Sequence, residues 1–143
     1  MTLLTPDLRY ALRANAIVSL CAQQKGRPYD PVPVVKFFNP LGAGTWLATG
    51  LHEDDDSLFG LADLGLGCPE LGVFSLHEIG SVRLPYGMRI ERDLGFATPH
   101  SLSLWAAVAC RTGSIIQAEQ LLIRTGPDAA PDLPGDPDAG TAG

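Results

Sequence analysis

The sequence predicts an α+β domain, a small antiparallel sheet of about four strands (a meander) with three to four helices packed on one face. Three observations predict it. Residues 34–63 hold short β-branched and aromatic runs joined by brief polar or glycine-rich links, the pattern of an antiparallel meander. Helix-opening signals stand at Thr5, Ser75, Thr98 and Ser114. Apolar residues make up 45% of the 143 and charged residues 18%, enough for one core and too apolar for a wholly disordered chain.

Each element has its own signal. Thr5 can accept a backbone N–H as N-cap, Pro6 suits the first helical position and Asp7 the positive end of the dipole. Leu8, Leu12, Ala16 and Leu20 then share a face, with Ile17 and Cys21 beside it, until Gly26 and Pro28 end the helix. Val34 to Phe38, Thr45 to Leu51 and Ser57 to Asp63 are the strands of the meander, and glycines 60, 65, 67 and 72 mark bends or a bulge. Ser75 with Glu78 is a capping box for a helix over about 76–82. Met88 to Arg92 alternates apolar and charged residues like a strand with one wet face. Thr98-Pro99 opens a helix that Gly113 stops, and Ser114 with Gln117 opens a last one through Arg124.

Residues 1–125 therefore read as one domain. Residues 126–143 read as a disordered tail, because Asp, Pro, Gly and Ala cannot bury enough apolar surface to offset ordering entropy. Four of the sixteen acids lie in that tail, leaving twelve acids against ten bases in the domain. A near-neutral body supports neither a cationic groove for many phosphates nor an acidic mimic of DNA. Cys21, Cys68 and Cys110 are an odd, widely spaced set without a C-x-x-C pair. With no signal-peptide pattern at the start and no apolar run long enough for a membrane span, they point to reduced thiols in a cytoplasm.

Five segments together carry a resemblance: Val-Pro-Val-Val-Lys-Phe-Phe-Asn-Pro (32–40), Thr-Trp-Leu-Ala-Thr (45–49), Leu-Phe-Gly-Leu-Ala-Asp-Leu-Gly (58–65), Glu-Leu-Gly-Val-Phe-Ser-Leu (70–76) and Ile-Glu-Arg-Asp-Leu (90–94). In this order the chain resembles a bacterial family catalogued as domain of unknown function 2958. The resemblance covers residues 1–124 and omits the tail. It implies a passenger of plasmids and integrative elements, near replication, transfer and antirestriction genes. It implies no activity and no catalytic residues.

Familiar catalytic patterns are missing. Gly42 and Gly44 follow a strand but no Lys-Ser or Lys-Thr follows them, so both nucleotide fingerprints fail. His77-Glu78 lacks the second His of a zinc protease. Cys68 lacks a visible base, and a small apolar role suffices for it. His100 sits in a helix's first turn without an evident partner. The loop His52 to Asp56 offers oxygen and imidazole ligands at His52, Asp54 and Asp56 for Mg²⁺ or Mn²⁺, yet consecutive acids on a tight turn diverge, and a solvated hairpin tip accounts for them.

Lys36 is the oddity. On a strand it shares a face with Val34 and Phe38, and an ammonium among apolar neighbours needs an exit to water or an acid, for which Asp63, Glu70 and Glu91 are candidates. With Trp46 on the next strand and Asn39 and Thr45 nearby, Lys36 and Phe38 form a candidate recognition patch for a protein segment or a single-stranded nucleic acid. The expected function is a small accessory binding module without cofactor. A metal-dependent nuclease or phosphoesterase built on the acidic loop, with Asp63, is the alternative. Antagonism of host restriction or CRISPR defence by protein contact is a further one.

Overall fold

A computed structural model describes residues 2–124; the tail expected over 126–143 lies outside the described residues. The elements run α1 (Pro6–Gln24), β1 (Val35–Phe38), β2 (Thr45–Leu51), β3 (Ser57–Asp63), β4 (Glu70–Ser75), α2 (Leu76–Ser81), a single 3-10 turn (Pro85–Gly87), β5 (Glu91–Arg92), α3 (Leu102–Thr112) and α4 (Ile115–Arg124). The strands form one antiparallel sheet in the order β4-β3-β2-β1-β5. The α+β class and the meander are those expected from sequence.

Side-chain alternation divides the core in two. Val35, Phe37, Ala48 and Leu58 face one side and bury Leu4 and Leu12 of the N-terminal segment and Ile79 of α2. Leu47 and Leu61 face the other and bury Trp105 and Val108 of α3 and Ile115, Ala118 and Leu122 of α4. Helices thus cover both faces, where the sequence reading places them on one. The pattern of β2 explains this: six of its seven residues are buried, so both faces need a cover.

The strand beyond the four expected is β4, which falls in the segment read as glycine-rich bends. Gly72 lies opposite Gly60 in the β3–β4 ladder. At Gly60 a Cβ would sit 1.8 Å from the carbonyl oxygen of Leu47, so close approach to β2 requires glycine there. A register shift between Ala48 and Gly50 supplies the bulge, and it puts Leu51 on the same side as Ala48. The strand expected over 88–92 shrinks to two residues, because the turn uses up Met88: its N–H bonds Pro85 and its carbonyl accepts from Leu84.

The helix caps follow the sequence with one exception. Thr5, Ser75 and Ser114 accept backbone N–H groups at the starts of α1, α2 and α4. In α3 the cap is Ser101 and not Thr98. The Thr98 hydroxyl instead accepts the Trp105 indole N–H at 3.1 Å and the His100 N–H. His100 is buried and has a partner after all, since its Nε2 lies 3.3 Å from the carbonyl oxygen of Leu122 in the last turn of α4. Cys68, read as a small apolar residue, is exposed, as are Cys21 and Cys110. Among the described residues no helix is long and apolar enough to cross a membrane.

Candidate functional site

The register separates the patch built around Lys36. Lys36 pairs with Leu47 and shares its face, under α3 and α4, while Trp46 pairs with Phe37 and packs against the opposite core. Lys36 finds an acid, but none of the three anticipated. Its Nζ lies 2.8 Å from Glu119 Oε1 of α4 and 3.5 Å from Asp93 Oδ2, with its side chain 12% exposed and its charge 5.9 Å from the Phe38 ring. The ion pairs tie the sheet to α4 and to the turn after β5. Sequence could have offered Glu119, which flanks the Ile115, Ala118, Leu122 stripe on the same helix.

The other patch residues serve the backbone. Asn39 closes the β1–β2 turn, its Oδ1 accepting the Leu41 N–H at 2.8 Å. The buried Thr45 hydroxyl donates to the Ala43 carbonyl. Asp63 is buried and accepts the Ile115 N–H at 2.9 Å, satisfying an orphan donor at the start of α4, and the Gly65 N–H at 2.8 Å. Glu70 is exposed at the start of β4, with β3 and β2 between it and β1.

The acidic loop is spent in the same way. Asp54 accepts the N–H groups of Asp56 and Ser57 and the Ser57 hydroxyl. The Ser57 hydroxyl and N–H, then the Asp56 N–H, hold its carboxyl well below the ordinary 3.8, at about 2. Asp56 turns to α2 and accepts the Ser75 hydroxyl and the His77 N–H, each at 2.7 Å. Asp55, at φ 63°, pairs with Arg9 of α1. The three carboxylates diverge, and among the described residues no three His, Cys, Asp or Glu side chains form a group able to hold a metal ion.

The concave surface lies elsewhere. α1 crosses the end of β2, where Asn15 donates to the Thr49 carbonyl at 3.0 Å and Ala16 packs on Gly50. Beyond that point the helix runs off the sheet. Ile17 and Leu20, expected on or beside its buried face, are 56% and 55% exposed, and Leu12 is its one buried residue. The following segment wraps to the other face, where the Pro31 carbonyl accepts the Leu102 N–H and Asp30 accepts both the N–H and the hydroxyl of Ser103. Partial burial pushes the Asp30 carboxyl up, but these bonds from Ser103 outweigh it and hold the group below its usual range.

Between the overhanging half of α1, the start of α3 and the sheet lies a groove of about 800 Å³. Ile17, Leu20, Phe59, Leu71 and Leu102 give it apolar walls. Its fixed charges are Arg13 and Arg27 against Asp30 and Glu53, with His52 at the hairpin. Val73 stands beside Leu71 on the same face of β4 and is 58% exposed. Sequence periodicity pointed at Leu20 and Leu102 only as buried helix faces, with Ile17 beside the first, and Leu71 and Val73 lay in the stretch read as glycine-rich bends.

No curated protein and no solved structure matches the chain. A family model described as "Protein of unknown function (DUF2958)" matches residues 3–116, and the chain belongs to that family.

Proposed function

We propose that the chain is a small binding module that docks another protein in the groove beneath the overhanging half of α1. The observation that carries this reading is the contiguous exposure of Ile17, Leu20, Phe59 and Leu71 around a concavity, an arrangement that leaves water on apolar surface unless a partner displaces it. The charges favour a protein over a nucleic acid. Two arginines are balanced by two acids, so the groove has no excess cation to offer a row of phosphates. Carriage by a mobile element, which the sequence resemblance implies, makes this an accessory protein of such an element.

Affinity capture with the full chain tests the reading. The double variant Ile17→Asp/Leu20→Asp changes exposed side chains, so its urea midpoint should match the wild type within the effect of two surface substitutions, each about 0.5 kcal/mol. A protein recovered in stoichiometric amount by the wild type should be lost from the variant. Equal recovery by both chains would overturn the reading.

A further inference from the structure

The edge of β4 gives the docked segment a conformation. Leu76 donates its N–H to the Asp56 carbonyl at 2.9 Å, and the two residues continue the β3–β4 register, in which Leu58 faces Phe74 and Gly60 faces Gly72. In an antiparallel ladder hydrogen-bonded pairs alternate with pairs that exchange no bonds. The bonded pairs are therefore those of Phe74, Gly72 and Glu70, and the N–H and C=O groups of Leu71, Val73 and Ser75 point away from β3. β4 is the end of the sheet, and no described residue bonds to the backbone of Leu71 or Val73. The same two residues place their side chains on the groove face, opposite Leu61 and Phe59.

Edge strands of free-standing domains are commonly blunted by Lys, Pro or a bulge. β4 reads Glu-Leu-Gly-Val-Phe-Ser, with neither Lys nor Pro, and pairs with β3 in unbroken register. None of its six residues is buried.

Building on the docking proposed above, we infer that the occupant binds by strand addition: an extended segment of another protein pairs with the Leu71–Val73 edge. Every second side chain of that segment lies on Leu71, Val73 and Phe59 beneath Leu20, and the alternate ones point to the opposite face. Charge selects the same occupant. With Arg13 and Arg27 matched by Glu53 and Asp30, the groove complements a segment without net charge, apolar at alternate positions.

Selection of a displayed random 12-residue peptide library on the full chain tests this. The expected enrichment is apolar residues at i and i+2, without net charge. Val73→Pro removes an outward N–H and leaves the β3 ladder intact, since Val73 exchanges no bond with Phe59. It should weaken the selected peptide at least tenfold, whereas Val73→Thr, which keeps the N–H, should weaken it no more than threefold. Unchanged circular dichroism and urea midpoint in Val73→Pro establish that it folds; if it does not, N-methylation of alternate peptide residues removes the same bonds from the other side. Enrichment at helical spacing, or binding indifferent to both changes yet lost in Ile17→Asp/Leu20→Asp, would overturn strand addition and leave the groove as docking site. Self-association of the free chain abolished by Val73→Pro would also overturn it, by making a second copy the occupant. Peptides indifferent to Ile17→Asp/Leu20→Asp would overturn both readings.

Discussion

β2 and β4 belong to one sheet and are built from similar residues, yet they have opposite fates. β2 pairs on both sides and lies between two helical layers, so Leu47, Ala48 and Leu51 are sealed from water. β4 pairs on one side only, and its Leu71 and Val73 stay half exposed. Two facing glycines show the same contrast. A Cβ on Gly60 would strike the Leu47 carbonyl, while a Cβ on Gly72 would meet nothing within 4 Å. The centre of the sheet holds the fold together, and its β4 margin contributes surface. Apolar residues that do little for stability, gathered around a groove, are available for a partner.

That contrast can be broken by substitution. The largest effect belongs to Gly60→Ala, which should destabilise by more than about 4 kcal/mol or prevent folding, since backbone must move to admit the methyl. Gly72→Ala should stay within about 0.5 kcal/mol in the same urea titration. Leu47→Ala should cost about 3 kcal/mol through lost burial and a cavity, and Leu71→Ala less than about 1 kcal/mol. Equal losses at positions 47 and 71 would place β4 in the core and remove the basis for a docking edge.

The side of the sheet around β1 and β5 is braced by charge. Glu119→Ala should cost about 2 kcal/mol, because it leaves the Lys36 ammonium with Asp93 alone, and the partial exposure of the pair keeps the loss below that of a fully buried one. The double variant Lys36→Met/Glu119→Leu should recover most of that loss, as an apolar pair needs no solvation.

The smallest effect concerns acid. Asp54 has its folded value near 2, below the ordinary 3.8. A depressed carboxylate stabilises the folded state above the unfolded value, and that contribution fades as pH falls from 3.8 towards about 2. Asp54→Asn should therefore lower the unfolding midpoint slightly near pH 7, where the carboxylate's contribution is fully present, and flatten the pH dependence of the midpoint in that window. An unaltered acid slope would show that the hydrogen bonds from Ser57 and Asp56 do not persist in solution.

Local chemistry was legible in the sequence wherever it is local in space. The caps at Thr5, Ser75 and Ser114 and the three meander strands depend on neighbours a few residues away. β4 was hidden because its glycines read as breaks, and only pairing with Gly60 shows that Gly72 belongs to a strand. Lys36 was correctly singled out as needing an acid, but Glu119 lies 83 residues on, beyond any pattern of spacing. Trp46 was placed beside it from adjacency of strands. Register decides faces, and a one-residue offset sends the indole to the opposite side. The groove was illegible for a related reason. An apolar stripe on α1 is the same in sequence whether or not the helix stays over the sheet, and past Ala16, which packs on Gly50, Ile17 and Leu20 stay exposed.

Amide hydrogen exchange on the full chain, with and without its captured partner, tests the central claim most directly. New protection should concentrate at 17–20, 59 and 71–73, with the amides around Lys36, Asp93 and Glu119 unchanged. Protection confined to the β1–β5 side, with the α1 overhang and β4 edge exchanging as freely as before, would contradict the account.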